Sequence, residues 1–330
     1  MQFSRLVRPA LLFLAVALGA TALQAQPYPS RPIRILVGFA PGGATDLIAR
    51  LYAQQLKDAL NATVIVENQA GASELMAVRT LMSSPPDGYA LWLAAGSSLT
   101  MGPAIRKDLP YDPAKDFTQI ALVATAPGVF FVHPSVPVRT MAELIAYAKD
   151  NPGKLNYGSA GVGSSSHLQM EYMLKAAGIS MVHIPYKAAN ESVQAVAGGS
   201  VHMGLAPAQP VVVLASDGKV RPIAVTSTTR LNALPNVPTM AEAATGDLKG
   251  MSGYTFYGLV GPAKLPNDIV LKINAAINKI SVMPDVAEKM REGFSAEPAT
   301  STPATYRQYV DKELAKWREI GKSIKTDGGS

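Results

Sequence analysis

The 330-residue chain contains no cysteine. That excludes disulfides, a thiol nucleophile, a thiolate-ligated metal and a lipidated N-terminal cysteine. Histidine is scarce. His133, His167, His183 and His202 are the four in the chain, and none is paired at metal-ligand spacing, so no metal site is expected. Charged residues make up only 16%, and the formal net charge of +6 is scattered without a basic run. A polyanion needs a clustered basic stripe, so nucleic acid is not an expected partner. The longest unbroken apolar stretch, Ala10 to Ala20, falls short of the roughly 20 residues a membrane span needs. What remains is ordinary globular composition, with room for about two domains of ~100–200 residues.

The N-terminus reads as a processing signal. Arg5 and Arg8 precede the apolar stretch, and small residues at Ala20, Ala22 and Ala25 follow it. Cleavage is expected after Ala22 or Ala25, removing residues 1–25 and exporting a soluble chain. Loss of the two arginines leaves a mature formal charge of +4.

From Ile33 onward, short apolar runs alternate with helical patterns, the signature of α/β structure with mostly parallel sheets. Strands are expected at 33–37, 64–66 and 90–93, with helices over 44–60 and about 74–82 between them. The first helix is expected to bury Leu47, Ile48, Leu51, Gln55, Leu56 and Leu60. Pro85-Pro86-Asp87-Gly88 can only turn. A second block starts near Ile120, with a strand at 129–132. There the capping-box pattern Thr140-Met141-Ala142-Glu143 opens a helix that ends at Asn151-Pro152-Gly153. Further β-α units follow to Val225, then a strand near 254–260 and three C-terminal helices with Pro266 and Pro303 in first-turn positions. No flexible linker separates the blocks. They are expected to pack closely, with a ligand between them at the carboxyl ends of the strands.

The candidate chemistry lies in loops that lead from strand to helix. In Gly38-Phe39-Ala40-Pro41-Gly42-Gly43-Ala44-Thr45-Asp46, the glycines let the backbone approach a ligand, and the following helix aims unpaired N–H groups at it. A carboxylate suits that environment, with Asp46 turned away as a first-turn acid. A second loop, Gly158 to Ser166, offers hydroxyls and backbone N–H groups, and Gly96-Ser97-Ser98 is a shorter one. Neither dinucleotide spacing nor a P-loop lysine is present, so no cofactor is expected. A serine nucleophile, Ser164 or Ser165 with His167, lacks the G-x-S-x-G elbow, and His167 reads as a packing residue. The isolated acids, Glu67, Glu74, Asp87, Asp112, Asp116 and Glu171, form no acid–base pair.

These motifs also carry a resemblance. Tyr28-Pro29-Ser30-Arg31-Pro32-Ile33-Arg34, the Phe39–Asp46 loop, Val66-Glu67-Asn68-Gln69-Ala70-Gly71-Ala72 and Pro85-Pro86-Asp87-Gly88-Tyr89 match one family in order. So do Leu109-Pro110-Tyr111-Asp112-Pro113, Asp116-Phe117, the stretch from Pro152 to Gly161, His183-Ile184-Pro185-Tyr186-Lys187, and Ala224-Val225-Thr226-Ser227. Leu234-Pro235-Asn236-Val237-Pro238-Thr239 and Glu313 with Lys316-Trp317 complete the set. The chain resembles the Bug family of periplasmic solute receptors, the binding component of tripartite tricarboxylate transporters, over nearly its whole mature length.

The resemblance implies a two-domain Venus-flytrap protein, a periplasmic monomer and not an enzyme, that passes a small solute to membrane permease subunits. The solute is a carboxylate, with a carboxamide or amino acid as alternatives. Domain 1 would comprise 26–125 with 251–330, and domain 2 would comprise 126–250. Family positions that hold ligand match Phe39, Gly42, Gly43, Ala44, Thr45, Ser97, Ser98, Gly158, Ser159, Gly161, Gly163, Ser164 and Ser165, with Leu205, Ala206 and Pro207 as the opposite wall. Candidate specificity residues are Glu74, Tyr186 and His202. Glu74 and His202 depart from the usual pattern. A Glu74 facing the cleft would disfavour a dicarboxylate; the cost of drying an unpaired carboxylate favours one facing water. A receptor for a membrane sensor and an exported serine hydrolase are the rival functions.

Overall fold

The alternation of apolar runs and amphipathic helices produces two separate sheets. The computed structural model describes residues 28–71, 74–244, 246–251, 253 and 255–322. The signal segment and Tyr254, expected to open a strand, lie outside the described residues. In chain order the first part comprises β1 (Ile33–Val37), α1 (Ala44–Leu60), β2 (Val64–Asn68), α2 (Leu75–Met82), β3 (Ala90–Ala95), α3 (Gly102–Ile105) and β4 (Phe117–Ala126). The middle comprises β5 (Gly128–Val132), α4 (Met141–Asp150), β6 (Asn156–Ser159), α5 (Ser165–Ala177), β7 (Val182–Pro185), α6 (Ala189–Ala197), β8 (Met203–Pro207), α7 (Ala208–Ser216) and β9 (Arg221–Val225). Then come α8 (Met240–Ala243), β10 (Thr255–Pro262), α9 (Asn267–Ser281), α10 (Pro284–Glu288), β11 (Glu297–Pro298) and α11 (Pro303–Gly321).

The first sheet has the order β11-β4-β10-β3-β1-β2 and the second β7-β6-β8-β5-β9. β1, β2 and β3 run parallel, with β10 antiparallel to both β3 and β4. In the second sheet β6, β7 and β8 are parallel, and β5 runs against β8 and β9. The apolar pattern alone opens a second block near Ile120, whereas residues 117–126 form a strand of the first sheet. The sequence pattern does not show α7 either. Its Pro210 reads as a breaker, yet it falls in the first turn, where the missing N–H has no partner to lose.

One residue separates β4 from β5, so the chain passes from sheet to sheet almost as one strand. The end of the first sheet carrying Ala126 therefore faces the end of the second carrying Gly128. Pairing of Thr255 with Ala126 and of Tyr257 with Ala95 puts the carboxyl end of β3 at that junction. Pairing of Gly128 with Pro207 does the same for β8. The second crossing, from β9 to β10, is pinned to the first. Buried Thr226 accepts the Gly128 N–H on its Oγ1 at 2.7 Å, and its carbonyl accepts the Gly253 N–H at 2.7 Å.

Each sheet is packed on both faces. On α1, Ile48, Leu51, Leu56 and Leu60 are buried as expected, joined by Ala49, Tyr52 and Ala53. Leu47 is 37% exposed, because it sits in the first turn beyond the sheet's edge of cover. Trp92, Phe117, Tyr111 and Tyr306 build the opposite face. α4 starts as predicted, with Thr140 Oγ1 accepting the Glu143 N–H at 3.1 Å. The Glu143 carboxylate reaches one residue further back, to the Arg139 N–H. The reciprocal capping box stands instead at Thr239 and Glu242.

Packing is tightest where Tyr306 lies over Gly258 of β10. A Cβ on Gly258 would stand 1.7 Å from the Tyr306 hydroxyl oxygen and 2.4 Å from Cζ. Gly258→Ala must therefore displace a fully buried ring, and we expect it to cost about 3 kcal/mol, the upper range for overpacking a core. Urea unfolding checks this; a loss below ~0.5 kcal/mol would mean that Tyr306 has room to move.

Candidate ligand-binding cleft

The loops after β1, β3 and β6 meet at the facing ends of the two sheets. In the first, Gly42 takes φ +84, a conformation that L side chains rarely adopt, which lets the chain double back before α1. Gly43 is the N-cap of α1, extended at φ −78 and ψ 165, with no side chain to satisfy the first-turn N–H groups. Ala44 and Thr45 therefore present donors at the positive end of a 17-residue helix. Asp46 folds its carboxylate back onto the loop and takes the Gly42 N–H at 2.9 Å, so that donor is already used. Burial alone would push its carboxyl up. Hydrogen bonds from Arg50, the Gly42 N–H and Asn68 outweigh that and hold it below the usual carboxylate range. Phe39 is half-buried against the first core, and its carbonyl accepts from Asn68.

Ser97 and Ser98 open a π-helical turn after β3, and both are buried. The Ser98 hydroxyl donates to Glu74 Oε1 at 2.7 Å, and the Ser98 carbonyl accepts the Tyr111 hydroxyl. Glu74 is the one specificity candidate whose favoured placement is overturned. It is 0% exposed, at φ +71, with the Trp92 indole N–H donating to its other oxygen at 3.2 Å. Burial raises the Glu74 pKa from 4.5 to about 8, only partly offset by bonds from Ser98, Trp92 and the Ala95 backbone. The raised pKa favours the protonated form near neutral pH, and burying that form costs less than burying a carboxylate.

The second loop is more self-contained than its glycines suggest. The N–H groups of Ala160, Gly161 and Gly163 donate to Ser166 Oγ, Ser159 Oγ and His167 Nδ1. Ser159 also bonds His183 Nε2 at 2.6 Å, and Gly158 packs beneath the half-buried Tyr186 ring. Ser164 caps α5 by accepting the His167 N–H at 3.3 Å. Gly161, Gly163, Ser159 and Ser164 thus shape the loop, and the N–H groups of Ser165 and Ser166 stand in the first turn of α5, where the helix itself offers no acceptor. His167 is the expected packing residue. Its ring stacks on His183 at 4.1 Å, and His183 in turn stacks on Tyr157. Burial lowers the pKa of both imidazoles to about 4, so both are neutral at physiological pH.

On the opposite wall, Leu205 and Ala206 point into the two cores of the second lobe. Half-exposed Pro207 alone of the three reaches the junction. His202 lies elsewhere. It bonds Asn156, the first residue of β6, at the amino end of the sheet and away from the cleft. A parallel strand separates its two ends by its full length, and His202 precedes β8 where Pro207 ends it.

A contact between the lobes left no sequence signal. Leu168 of α5 is buried to 2% against Met101 and Trp317 of the first lobe, and Tyr172 stands edge-on to the Trp317 indole. These residues are far apart in sequence, and each pattern alone reads as ordinary helix core.

Two α/β lobes, linked by two crossings and closing on a cleft rimmed by helix N-termini, define a two-domain solute-binding protein. The family TctC, Tripartite tricarboxylate transporter family receptor, matches residues 48–326, and the chain belongs to that family. It is 34% identical to a UPF0065 protein of Cupriavidus necator, that of the gbd 5' region, over 96% of this chain and 95% of that one. A solved R. palustris protein with adipate is similar at 30% identity and TM-score 0.81, covering 90% of this chain and 98% of that chain. MatC of Rhodopseudomonas palustris with bound malate gives 27% identity and TM-score 0.81, covering 89% and 100%. The family is one of periplasmic solute-binding proteins, not of enzymes.

Proposed function

We propose that this chain captures a small carboxylate solute in the periplasm and delivers it to the permease subunits of a tripartite transporter. The observation that carries this reading is the N-terminus of α1, capped by a glycine that leaves its first-turn N–H groups open toward the cleft. One ligand carboxylate sits over Gly43, Ala44 and Thr45, where backbone donors and the helix dipole replace a cationic side chain. The second lobe contributes the start of α5 at Ser165, with Phe39, Tyr186 and Pro207 as walls. The lobes, 26–125 with 251–330 and 126–250, act as closing domains of a monomer. Ligand contacts made from both sides exist only when they meet, so binding shifts the population to the closed form. The similarity to proteins holding adipate and malate supports a dicarboxylate of four to six carbons.

Isothermal titration of refolded, ligand-free protein with adipate, malate and their monoamides tests this. We expect a Kd of about 1 µM or tighter, near −8 kcal/mol, for at least one dicarboxylate. Millimolar or absent binding across a wider carboxylate panel would overturn the reading.

A further inference from the structure

Glu74 packs between the root of the loop after β1, at Gly38, and the turn after β3, at Ser98. A Cβ on Gly38, at the root of the first loop, would lie 2.4 Å from Glu74 Cβ and 2.5 Å from Cγ, so the glutamate side chain fills the space that a side chain there would need. Its carboxyl then reaches Ser98 and Trp92. Its backbone holds the left-handed conformation at φ +71, which costs a non-glycine residue energy and persists only where the surroundings impose it. One side chain therefore ties the loop after β1 to the turn after β3. Its partners are a hydroxyl, an indole N–H and the Ala95 backbone, with no cation among them. Among the described residues, the titratable group facing it is Tyr111, whose own pKa burial and Glu74 both raise. Arg106, beyond Tyr111, is paired with Asp108.

We propose that Glu74 is a proton-linked positioning residue: as a neutral acid it locks the two loops together, and the cleft takes up an anionic solute only while Glu74 keeps its proton. This rests on the reading of the cleft as a carboxylate site. Ionisation would place an uncompensated negative charge behind the same backbone that must receive the anion, in a dry setting where charge is poorly screened. Burial already brings the group's midpoint to about 8, so the switch lies within reach of alkaline surroundings.

The test has two arms. Trp92 and Trp317 are the two tryptophans in the chain, so Trp317→Phe leaves Trp92, a direct partner of Glu74, as the sole indole. Without ligand, its emission between pH 6 and 10 should show a one-proton step near pH 8 that disappears in E74Q. Should E74Q fold poorly, Ser98→Ala serves. Removing a donor to the ionised form should move the step to higher pH. A missing step, or one that survives E74Q, overturns the assignment. In the second arm adipate and malate are titrated at pH 6.5 and 9. One-proton linkage predicts about tenfold weaker binding at pH 9 in the native sequence and a flat profile in E74Q. Equal pH dependence in both proteins overturns the proposal. A Trp92 step with no binding of either anion at any pH sinks the carboxylate reading and the linkage with it, while leaving the titration assigned.

Discussion

Gly43→Asp should raise the melting temperature and abolish carboxylate binding. Gly43 occupies the N-cap of α1 with extended dihedrals that aspartate adopts without strain, and a Cβ there meets only the Ala40 carbonyl at 3.7 Å. A carboxylate at this position accepts from the second or third helical N–H, and its charge complements the helix dipole. Together these contribute a few tenths to about 1 kcal/mol over glycine. The same two effects are what the solute's carboxylate exploits, so the protein's own side chain becomes a tethered competitor at very high effective concentration. Affinity should fall by at least about a hundredfold, roughly 2.7 kcal/mol or more. Gly43→Ala is the control. It adds a Cβ without an acceptor and should bind within a few-fold of the native sequence. Calorimetry and thermal melts on both variants decide the matter. A stabilised Gly43→Asp that still binds normally would place the solute away from α1.

Leu168→Ala should weaken every ligand by the same factor. Leu168 belongs to the second lobe, but Met101 and Trp317, which bury it, belong to the first. These apolar contacts cross the lobe boundary, so parting the lobes exposes them whatever the ligand. Truncating a buried leucine typically costs 2–5 kcal/mol. The share lost here from closure should raise Kd by about 10- to 100-fold, that is ~1.4–2.8 kcal/mol. Because nothing that touches the ligand changes, the ranking within a carboxylate series should stay fixed, and small-angle scattering should show a larger radius of gyration than the native sequence without ligand, the two converging at saturation. Unchanged affinity, or a reordered ranking, would show that the cluster is not part of closure.

The two mutations probe features of unequal visibility in the sequence. The bounds of α1, 44–60, and the glycine loop before it can be read directly, since a 17-residue amphipathic pattern and a Gly-Gly pair are local signals. The clasp at Leu168 cannot, because its three partners come from α5, α11 and the turn after β3. Likewise apolar periodicity alone sets a block boundary near Ile120, inside the strand at 117–126: its apolar character is local, but its pairing with β10, some 130 residues later, is not. Serine and glycine in the second loop advertise backbone donors. Only the folded loop shows three of those N–H groups taken by Ser159, Ser166 and His167.

By itself, then, the sequence determined the class of structure, the order of most elements and the family. All of these follow from short-range periodicity, turn chemistry and contiguous motifs. The tertiary structure alone decided which groups around the cleft are open. It put His202 at the far end of its sheet and joined the lobes through Leu168. It also buried Glu74 against Gly38 and within hydrogen-bond reach of Ser98 and Trp92, a setting that raises its pKa. The physical reason is common to all three: burial and partner choice are set by groups distant in sequence, and a side chain's charge state follows from that surrounding and not from its neighbours along the chain.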